Sequence, residues 1–322
     1  MTVNVKTNMK GYFRICVKGK DGAIKEDTGW FPNLITDQGM DWIGSVAPDF
    51  STPTATGPYL GTHCGVGTGT TTPTFADTTL TSYLAMYPSA SLQGVTGFSS
   101  SQYVAGPPAY YSGIRTYNFP IGGVVGNIAE VGIGNIYSTS TQPLLMTHAL
   151  ILVGGVPGTI TVTSSDALVV YHEMRLYLDT TTNAYSFQIS GITYSGNYLR
   201  SNITTVPDFS KVFYYYPGFN GIYGWFYGYN GTITTISGVP TGVSDGGPNE
   251  FSTTMGSYTS GTYTRSMTCT VPLNYINLSG GITAFTITTN FGSYQFSVSP
   301  YIPKTALYTL TMNWSISWAR YP

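Results

Sequence analysis

Histidine, glutamate and aspartate side chains are the first candidates for chemistry, because acid–base catalysis and metal binding both depend on them. The chain of 322 residues has only three histidines. His172 and Glu173 begin like the zinc motif of metallopeptidases, but no second histidine follows at the required spacing. The alternation around them predicts a strand, in which the two side chains point to opposite faces. We therefore expect no zinc site here.

Two further patterns match reactive sites only in part. His63 and Cys64 are adjacent, but nothing nearby completes a metal or thiol site, which favours a loop or core pair. The stretch 65–70 is rich in glycine but lacks the lysine of a phosphate-binding loop, so we predict positive φ or close packing there. Cys16, Cys64 and Cys269 have no metal or disulfide spacing and are predicted to be buried thiols.

Paired carboxylates are the remaining route to catalysis, as in glycoside hydrolysis. The candidates are Asp41, Asp49, Glu130 and Glu173, and no pattern places any two of them together. We predict a protein that is not an enzyme and that needs no cofactor and no metal.

Alternation with a period of two dominates the chain and predicts strands. In the C-terminal stretch, Leu310, Met312, Trp314, Ile316 and Trp318 share one face, and small polar residues share the other. The run 168–178 alternates in the same way. Frequent glycine pairs separate such runs. We predict an all-β fold, an antiparallel β-sandwich of jelly-roll type.

Helix is predicted at only one or two short places. The stretch near 37–45 has Thr36 or Asp37 as its cap, and a second turn is predicted in 75–85 with Asp77 as its cap. A polar stretch near 180–200 divides the chain into portions 1–185 and 186–322, although one continuous domain explains the pattern as well.

The composition favours assembly with other subunits. Charged residues are only 8% of the chain, against roughly 25% in an average soluble domain. With 27 tyrosines and 39 glycines, contact surfaces are the favoured explanation, and a monomer with a neutral polar surface is the alternative. A net charge of −1 predicts no general attraction to nucleic acid, and the absence of a long apolar run predicts no membrane insertion.

Basic residues concentrate at the N-terminus, where Lys6, Lys10, Lys18 and Lys20 stand among the first 25 residues. The favoured interpretation is a solvated strand edge that lysines protect from aggregation. The alternative is an arm that docks on an acidic neighbour.

Residues 212–230 form the densest aromatic segment. We interpret it first as a subunit contact, then as a patch that binds carbohydrate or protein, and third as a buried loop. The candidate contact residues are Phe213, Tyr214, Tyr215, Tyr216, Phe219, Tyr223, Trp225, Phe226, Tyr227 and Tyr229.

Four segments carry a resemblance to a known family. They are DTGWFPNLITDQGMDWIG (27–44), CGVGTGTTTPTFADTTLTSYLA (64–85), GNIAEVGI (126–133) and PYIPKTALYTLTMNWSISWAR (300–320). In their order and content they resemble the tail- and fibre-associated structural proteins of bacteriophages and prophages. The segment 185–260 has no counterpart in this pattern.

The resemblance implies a virion structural protein of the tail, fibre or collar region that forms a symmetric homo-oligomer, a trimer or hexamer, and contacts other virion proteins. The alternative is a receptor-binding tip whose tyrosine-rich loop recognises a host surface glycan. Either protein would be made in the host cytoplasm and carried on the virion. The structural residues implied are Trp30, Trp42, Glu130, Lys304, Trp318 and Arg320.

Two expectations concern single residues. Glu130 lies in an apolar strand and needs a partner if it is buried, and Arg115 or Arg175 would suit. Trp42 on the short helix is expected to close one end of the sandwich.

Overall fold

The computed structural model describes residues 2–44, 61–88, 100–135, 142–207, 224–246 and 252–322. Helix α1 spans Asp37–Gly44. The strands in the first part of the chain are β1 (Thr2–Lys18), β2 (Ile24–Asp27), β3 (Phe31–Ile35), β4 (His63–Gly67), β5 (Tyr83–Pro88), β6 (Ser100–Val104), β7 (Tyr110–Phe119), β8 (Gly126–Ile128), β9 (Glu130–Asn135), β10 (Leu144–Leu150), β11 (Leu152–Val153), β12 (Val156–Pro157), β13 (Ile160–Val162) and β14 (Ala167–Tyr177). The remaining strands are β15 (Asn183–Ile189), β16 (Ile192–Ser201), β17 (Gly224–Tyr229), β18 (Ser244–Gly246), β19 (Ser252–Met255), β20 (Thr264–Val271), β21 (Ile282–Thr289), β22 (Gly292–Ile302) and β23 (Leu310–Arg320).

The long strand β1 organises a sheet of 13 strands. One of its edges pairs antiparallel with β14 from Asn8 to Lys18. Its other edge pairs in turn with β23, β3 and β2. The pairing with β23 is parallel, so strands from the two ends of the chain lie side by side in one sheet.

A second sheet has six strands in the order β15-β16-β22-β21-β17-β18. Its apolar residues pack with the inward residues of β1, β20 and β23 in one core. Phe285 and Phe296 stack there with ring centroids 4.6 Å apart, and Trp314 lies fully buried in the same core. This packing of one sheet on another confirms the predicted all-β, sandwich-like fold.

A second core forms where the large sheet curls. The path β7-β14-β1-β3-β10-β9-β4-β5 bends until its two ends meet. Tyr87 of β5 reaches Phe119 of β7, with ring centroids 5.6 Å apart. Phe13 and Val131 are among the residues that fill the interior of this curl.

The predicted alternation is confirmed in the strands that carry it. All five apolar residues of the 310–318 stretch are buried, as are Leu168, Val170, Met174 and Leu176 on one face of β14. The division considered at 185/186 falls inside β15, and β19, β20 and β23 return to the sheet that holds β1.

The predicted helix is confirmed, and Thr36 is its cap. Thr36 Oγ1 accepts a hydrogen bond from the backbone N–H of Gly39 at 3.0 Å. The same hydroxyl donates to the carbonyl of Leu145 at 2.9 Å, which attaches the start of the helix to β10. Gly39 is required because a Cβ there would lie 2.2 Å from the carbonyl oxygen of Met146. Trp42 is buried against the first core, with Met40 and Ile43.

We predict that Thr36→Ala lowers the free energy of unfolding by about 1–2 kcal/mol, because the cap and the bond to β10 are both lost. Thr36→Ser keeps the hydroxyl and is the matched control, with a smaller loss. Urea unfolding with an unchanged m-value measures both. Equal losses in the two variants would show that the hydroxyl does not matter.

The second predicted helical turn, in residues 75–85, is wrong. Asp77 instead accepts hydrogen bonds from the N–H and hydroxyl of Thr74, at 2.9 and 2.6 Å. The N–H groups of Thr81 and Ser82 donate to Glu130 rather than to carbonyls of a helix. The chain then enters β5 directly.

Candidate functional site

The outer face of β1 carries a row of basic side chains. Lys6, Lys10, Arg14 and Lys18 are spaced by four residues, so the alternation of the strand turns them all to one side. Four residues of extended chain span about 13 Å, and the whole row spans about 40 Å. The odd-numbered residues of the strand, such as Met9 and Phe13, turn inward and are buried.

Strand β14 adds an arginine and tyrosines beside this row. Arg175 lies opposite Lys10 in the register of the two strands. Its guanidinium carbon lies 4.1 Å from the ring centroid of Tyr12 and 4.7 Å from that of Tyr110. It also donates to both carboxylate oxygens of Glu173, at 3.0 and 2.8 Å. Burial works against the charged guanidinium, but Glu173 outweighs it and raises the pKa of Arg175.

The end of the chain folds onto the same face. The ring of Tyr321 stacks on Tyr177 with centroids 3.6 Å apart. The N–H of Tyr321 donates to the carbonyl of Met9 at 2.7 Å, and Lys10 Nζ donates to the carbonyl of Pro322 at 2.8 Å. These contacts gather the tyrosine rings on one face of the sheet, which we call the tyrosine–basic face; Tyr177 is buried within it, and Tyr12, Tyr110, Tyr171 and Tyr321 are half-buried. The face comprises Lys6, Lys10, Tyr12, Arg14, Lys18, Tyr110, Tyr171, Arg175, Tyr177 and Tyr321.

The charges on the tyrosine–basic face are only partly neutralised. Arg14 forms a bidentate ion pair with Asp27, with Nε 3.0 Å from Oδ1 and Nη2 2.5 Å from Oδ2. The hydrogen bond from Arg14 lowers the pKa of Asp27 to about 2. Among the described residues, Asp27 and Glu173 are the side-chain carboxylates that bond to these five basic side chains, so the described side chains of the face keep a net positive charge.

Beyond β1 the outer face changes to neutral hydroxyl and amide groups. On β20 and β23 it presents Thr264, Thr268, Asn313, Ser315 and Ser317. Thr268 Oγ1 donates to Asn313 Oδ1 at 2.7 Å. This face of the sheet is therefore polar and uncharged on β20 and β23, and basic and aromatic on β1 and β14.

The interpretation of the N-terminal lysines as guards of a strand edge is wrong for Lys10 and Lys18, because β1 is paired with β14 along one edge there and with β23, β3 and β2 along the other. Lys6 and Lys10 lie in the tyrosine–basic face, and Lys18 lies at its far end. Lys20 is exposed in the turn after β1.

The tyrosine-rich segment is described only from Gly224 onward, so Phe213, Tyr214, Tyr215, Tyr216, Phe219 and Tyr223 lie outside the described residues. Trp225 is placed in β17. Phe226 and Tyr229 are buried, and the ring of Phe226 lies 5.4 Å from that of Phe285. These two residues belong to the core rather than to the surface. Tyr227 is half-buried.

Three of the four motif segments meet at the start of helix α1. Arg320 Nη2 donates to Asp37 Oδ1 at 2.6 Å, and its guanidinium lies 4.0 Å from the ring of Phe75. The N–H of Asp37 donates to the carbonyl of Phe75 at 2.8 Å. Trp318 Nε1 donates to the carbonyl of Met40 at 2.9 Å. Segments 27–44, 64–85 and 300–320 are thus in direct contact.

The fourth segment, 126–133, contacts segment 64–85 through Glu130. The prediction that Arg115 or Arg175 is the partner of Glu130 is wrong. Glu130 is fully buried and bonds to His148, with Oε2 3.0 Å from Nε2. Arg175 is instead held by Glu173, and Arg115 donates to the carbonyl of Gly61. Glu130 also accepts the N–H groups of Gly69, Thr81 and Ser82, which belong to segment 64–85.

The other predicted structural residues lie in different settings. Lys304 is buried, and its Nζ donates to Asn277 Oδ1 at 3.1 Å and to the carbonyl of Thr305 at 3.0 Å. Burial lowers the pKa of Lys304. Trp30 is 40% exposed. Cys16, Cys64 and Cys269 are free and buried, as predicted.

The carboxylates considered for catalysis have separate partners. Asp41 accepts hydrogen bonds from the hydroxyls of Tyr258 and Ser260. Glu130 bonds to His148, and Glu173 to Arg175. Asp49 lies outside the described residues. In the described part of the chain, no group of three or more His, Cys, Asp or Glu residues is arranged to hold a metal ion.

The described residues define an all-β protein with a tyrosine-rich, basic outer face on a curled sheet. No family model matches the chain, and comparison with curated proteins and solved structures found no match. Among the described residues, no helix is long and apolar enough to cross a membrane.

Most of the tyrosine–basic face could not be predicted from the sequence. The spacing of Lys6, Lys10, Arg14 and Lys18 by four was a usable signal, because it puts all four on one side of a strand. The tyrosines had no such signal. Tyr12, Tyr110 and Tyr177 come together only because β1, β14 and β7 are neighbours.

Proposed function

We propose that this chain is a structural protein of a bacteriophage virion, in the tail, fibre or collar region, and that it assembles as a symmetric homo-oligomer, a trimer or hexamer. The observation that carries the proposal is the contact among the four segments that resemble the family. They are far apart in sequence, yet they join through Asp37, Phe75, Arg320 and Glu130. Segments that jointly build one junction are expected to occur together in a family.

The tyrosine–basic face supports assembly. Tyrosine and arginine are enriched in protein interfaces, where their rings and guanidinium groups bury a large area at low entropic cost. Here their geometry is already fixed within the chain, because Arg175 is held by Glu173 and by two tyrosine rings. A preorganised surface loses less entropy when another subunit covers it.

The alternative is a receptor-binding tip that recognises a host glycan. Tyrosine rings beside hydroxyl groups suit a sugar, and the outer face offers both. The segment from Gly224 to Tyr229 adds less to this alternative, because Phe226 and Tyr229 are buried. Adsorption of the purified protein to host cells separates the two functions, because a shaft or collar protein is not expected to bind cells.

The test of assembly is the mass of the purified protein in solution. We expect the wild-type protein to be a trimer or hexamer. We expect the double variant Lys6→Glu/Lys10→Glu to dissociate, because the tyrosine–basic face then loses its positive charge. Lys20→Glu is the control, because Lys20 lies in the turn outside the face. Sedimentation velocity over a range of concentration and salt measures this.

Two results would overturn the proposal. One is a protein that stays monomeric at the highest concentration reached. The other is the absence of the chain from purified phage particles by mass spectrometry.

A further inference from the structure

His148 lies between two carboxylates inside the protein. It is fully buried on β10, with Nδ1 2.7 Å from Asp77 Oδ2 and Nε2 3.0 Å from Glu130 Oε2. An ionised carboxylate only accepts hydrogen bonds, so each ring nitrogen must carry a proton to make both contacts. The geometry therefore calls for a positively charged imidazolium between two negative groups.

The electrostatics agree with this protonation state. Burial lowers the pKa of His148, but the hydrogen bonds to Glu130 and Asp77 outweigh it and the pKa is raised. Burial raises the pKa of Glu130, but His148 and the N–H groups of Ser82 and Thr81 outweigh it and the pKa is lowered. Burial raises the pKa of Asp77 as well, but the hydrogen bonds from Thr74 and His148 outweigh it and the pKa is lowered.

The network fastens the segment of residues 68–82 to the sheet at two points. At one point Glu130 accepts the N–H groups of Gly69, Thr81 and Ser82 at 3.1, 3.0 and 2.7 Å. At the other point, Asp77 contacts His148 of β10. The same carboxylate accepts the N–H and hydroxyl of Thr74, which closes the turn 74–77. His148 links the two carboxylates and so joins both points to β10.

Glycine leaves the room that the Glu130 carboxylate needs. A Cβ at Gly67 or at Gly69 would lie 2.5 Å from Glu130 Oε1. The glycine-rich stretch 65–70 therefore serves close packing, as the sequence predicted.

On one side, the residues near His148 are apolar. An open pocket of about 210 Å³ borders His148 and is otherwise lined by Pro32 and Leu34 of β3, by Pro73, and by Ala149, Leu150 and Leu152. None of these residues titrates, so Asp77 and Glu130 are the charged groups that face His148 within the described residues.

The two carboxylates differ in exposure. The side chain of Asp77 is 24% exposed, whereas that of Glu130 is fully buried. When His148 loses a proton, one carboxylate loses its donor. Water can replace the donor at Asp77 but not at Glu130, so the proton leaves from Nδ1 and the Asp77 contact opens.

We propose that Asp77, His148 and Glu130 form a pH-operated latch, closed while His148 holds both protons and released at the turn 74–77 when His148 gives up its Nδ1 proton to solvent. Release reaches helix α1, because Phe75 in that turn accepts the N–H of Asp37 and lies under Arg320. The latch thus couples pH to the junction of the motif segments.

The direction of the pH effect follows from linkage. A histidine with a raised pKa contributes its full stability below its ordinary value of about 6.5, and the contribution is lost as pH rises through the raised pKa. The two carboxylates lose theirs only as pH falls below about 4. The latch is therefore most stable between about pH 4 and about pH 6.5, and it opens as the pH rises above this range.

Hydrogen exchange of the full chain tests the proposal. After correction for intrinsic rates, we expect amides in residues 68–82 to lose about tenfold or more of their protection between about pH 6 and about pH 9. The His148→Gln variant is expected to abolish this pH dependence. If His148→Gln does not fold, Asp77→Asn is measured instead, and it too is expected to abolish the pH dependence of protection in residues 68–82.

His172 is the matched control. It is fully buried on β14, no carboxylate of the described residues bonds to it, and burial with the nearby Arg115 lowers its pKa to about 3. His172→Gln should leave the pH dependence of residues 68–82 intact. NMR of labelled histidines should show one ring, His148, that titrates above about pH 6.5.

Two outcomes would overturn the latch. The first is corrected protection in residues 68–82 that does not change across this pH range. The second is a His148 ring that is already neutral at about pH 6.

Discussion

Replacing Glu130 with alanine is expected to lower the free energy of unfolding by about 3–5 kcal/mol, the cost of removing one partner from a buried ion pair. Three backbone N–H groups and one nitrogen of His148 then lose their acceptor inside the protein. Each buried donor without a partner costs about 1–3 kcal/mol. Urea unfolding measures the loss.

The control for this prediction is Glu26→Ala. Glu26 is exposed on β2, so its removal should change the free energy of unfolding by no more than about 0.5 kcal/mol. Glu130→Gln should fall between the two, because its amide oxygen still accepts hydrogen bonds. If Glu130→Ala were as stable as Glu26→Ala, the carboxylate would have no role in holding residues 68–82.

Replacing Trp318 with alanine is expected to cost about 3–5 kcal/mol, as for other large aromatic residues in a core. The Trp318 ring is buried between Tyr258 and Phe291 and covers Gly44 at the end of helix α1. Its loss leaves a cavity under the helix. Trp318→Phe keeps most of the ring and loses the bond to Met40, which is worth about 1 kcal/mol.

Trp30 is the matched control for Trp318. It is 40% exposed, so Trp30→Ala should cost well under 1 kcal/mol by the same denaturation assay. Similar losses at Trp30 and Trp318 would contradict a core role for Trp318. A loss at Trp318 alone would show that the last strand anchors the helix.

Glu130 and Trp318 belong to the same sheet as the proposed assembly surface. The junction around Asp37 holds the helix, the turn 74–77 and the last strand together, while the tyrosine–basic face lies on the outer side of the same sheet. A change at the junction is therefore expected to reach the tyrosine–basic face, the proposed assembly surface, through β1 and β23, which are paired directly.

The sequence by itself determined the class of fold and the faces of individual strands. The alternation in 310–318 and in 168–178 is a local property, because successive side chains of any strand point to opposite sides. The cap of helix α1 is equally local, since Thr36 bonds to an N–H only three residues away. Such features need no knowledge of neighbouring strands.

The tertiary structure alone decided which residues meet. Glu130 was expected to find an arginine, but the register of β9 and β10 and the path of residues 68–82 give it His148 and three backbone N–H groups. The tyrosine–basic face arises in the same way, from the order of β7, β14 and β1. A strand's own pattern shows which side of the sheet a residue occupies, whereas its partners depend on which strands pair and in what register, and that is settled by contacts between distant parts of the chain.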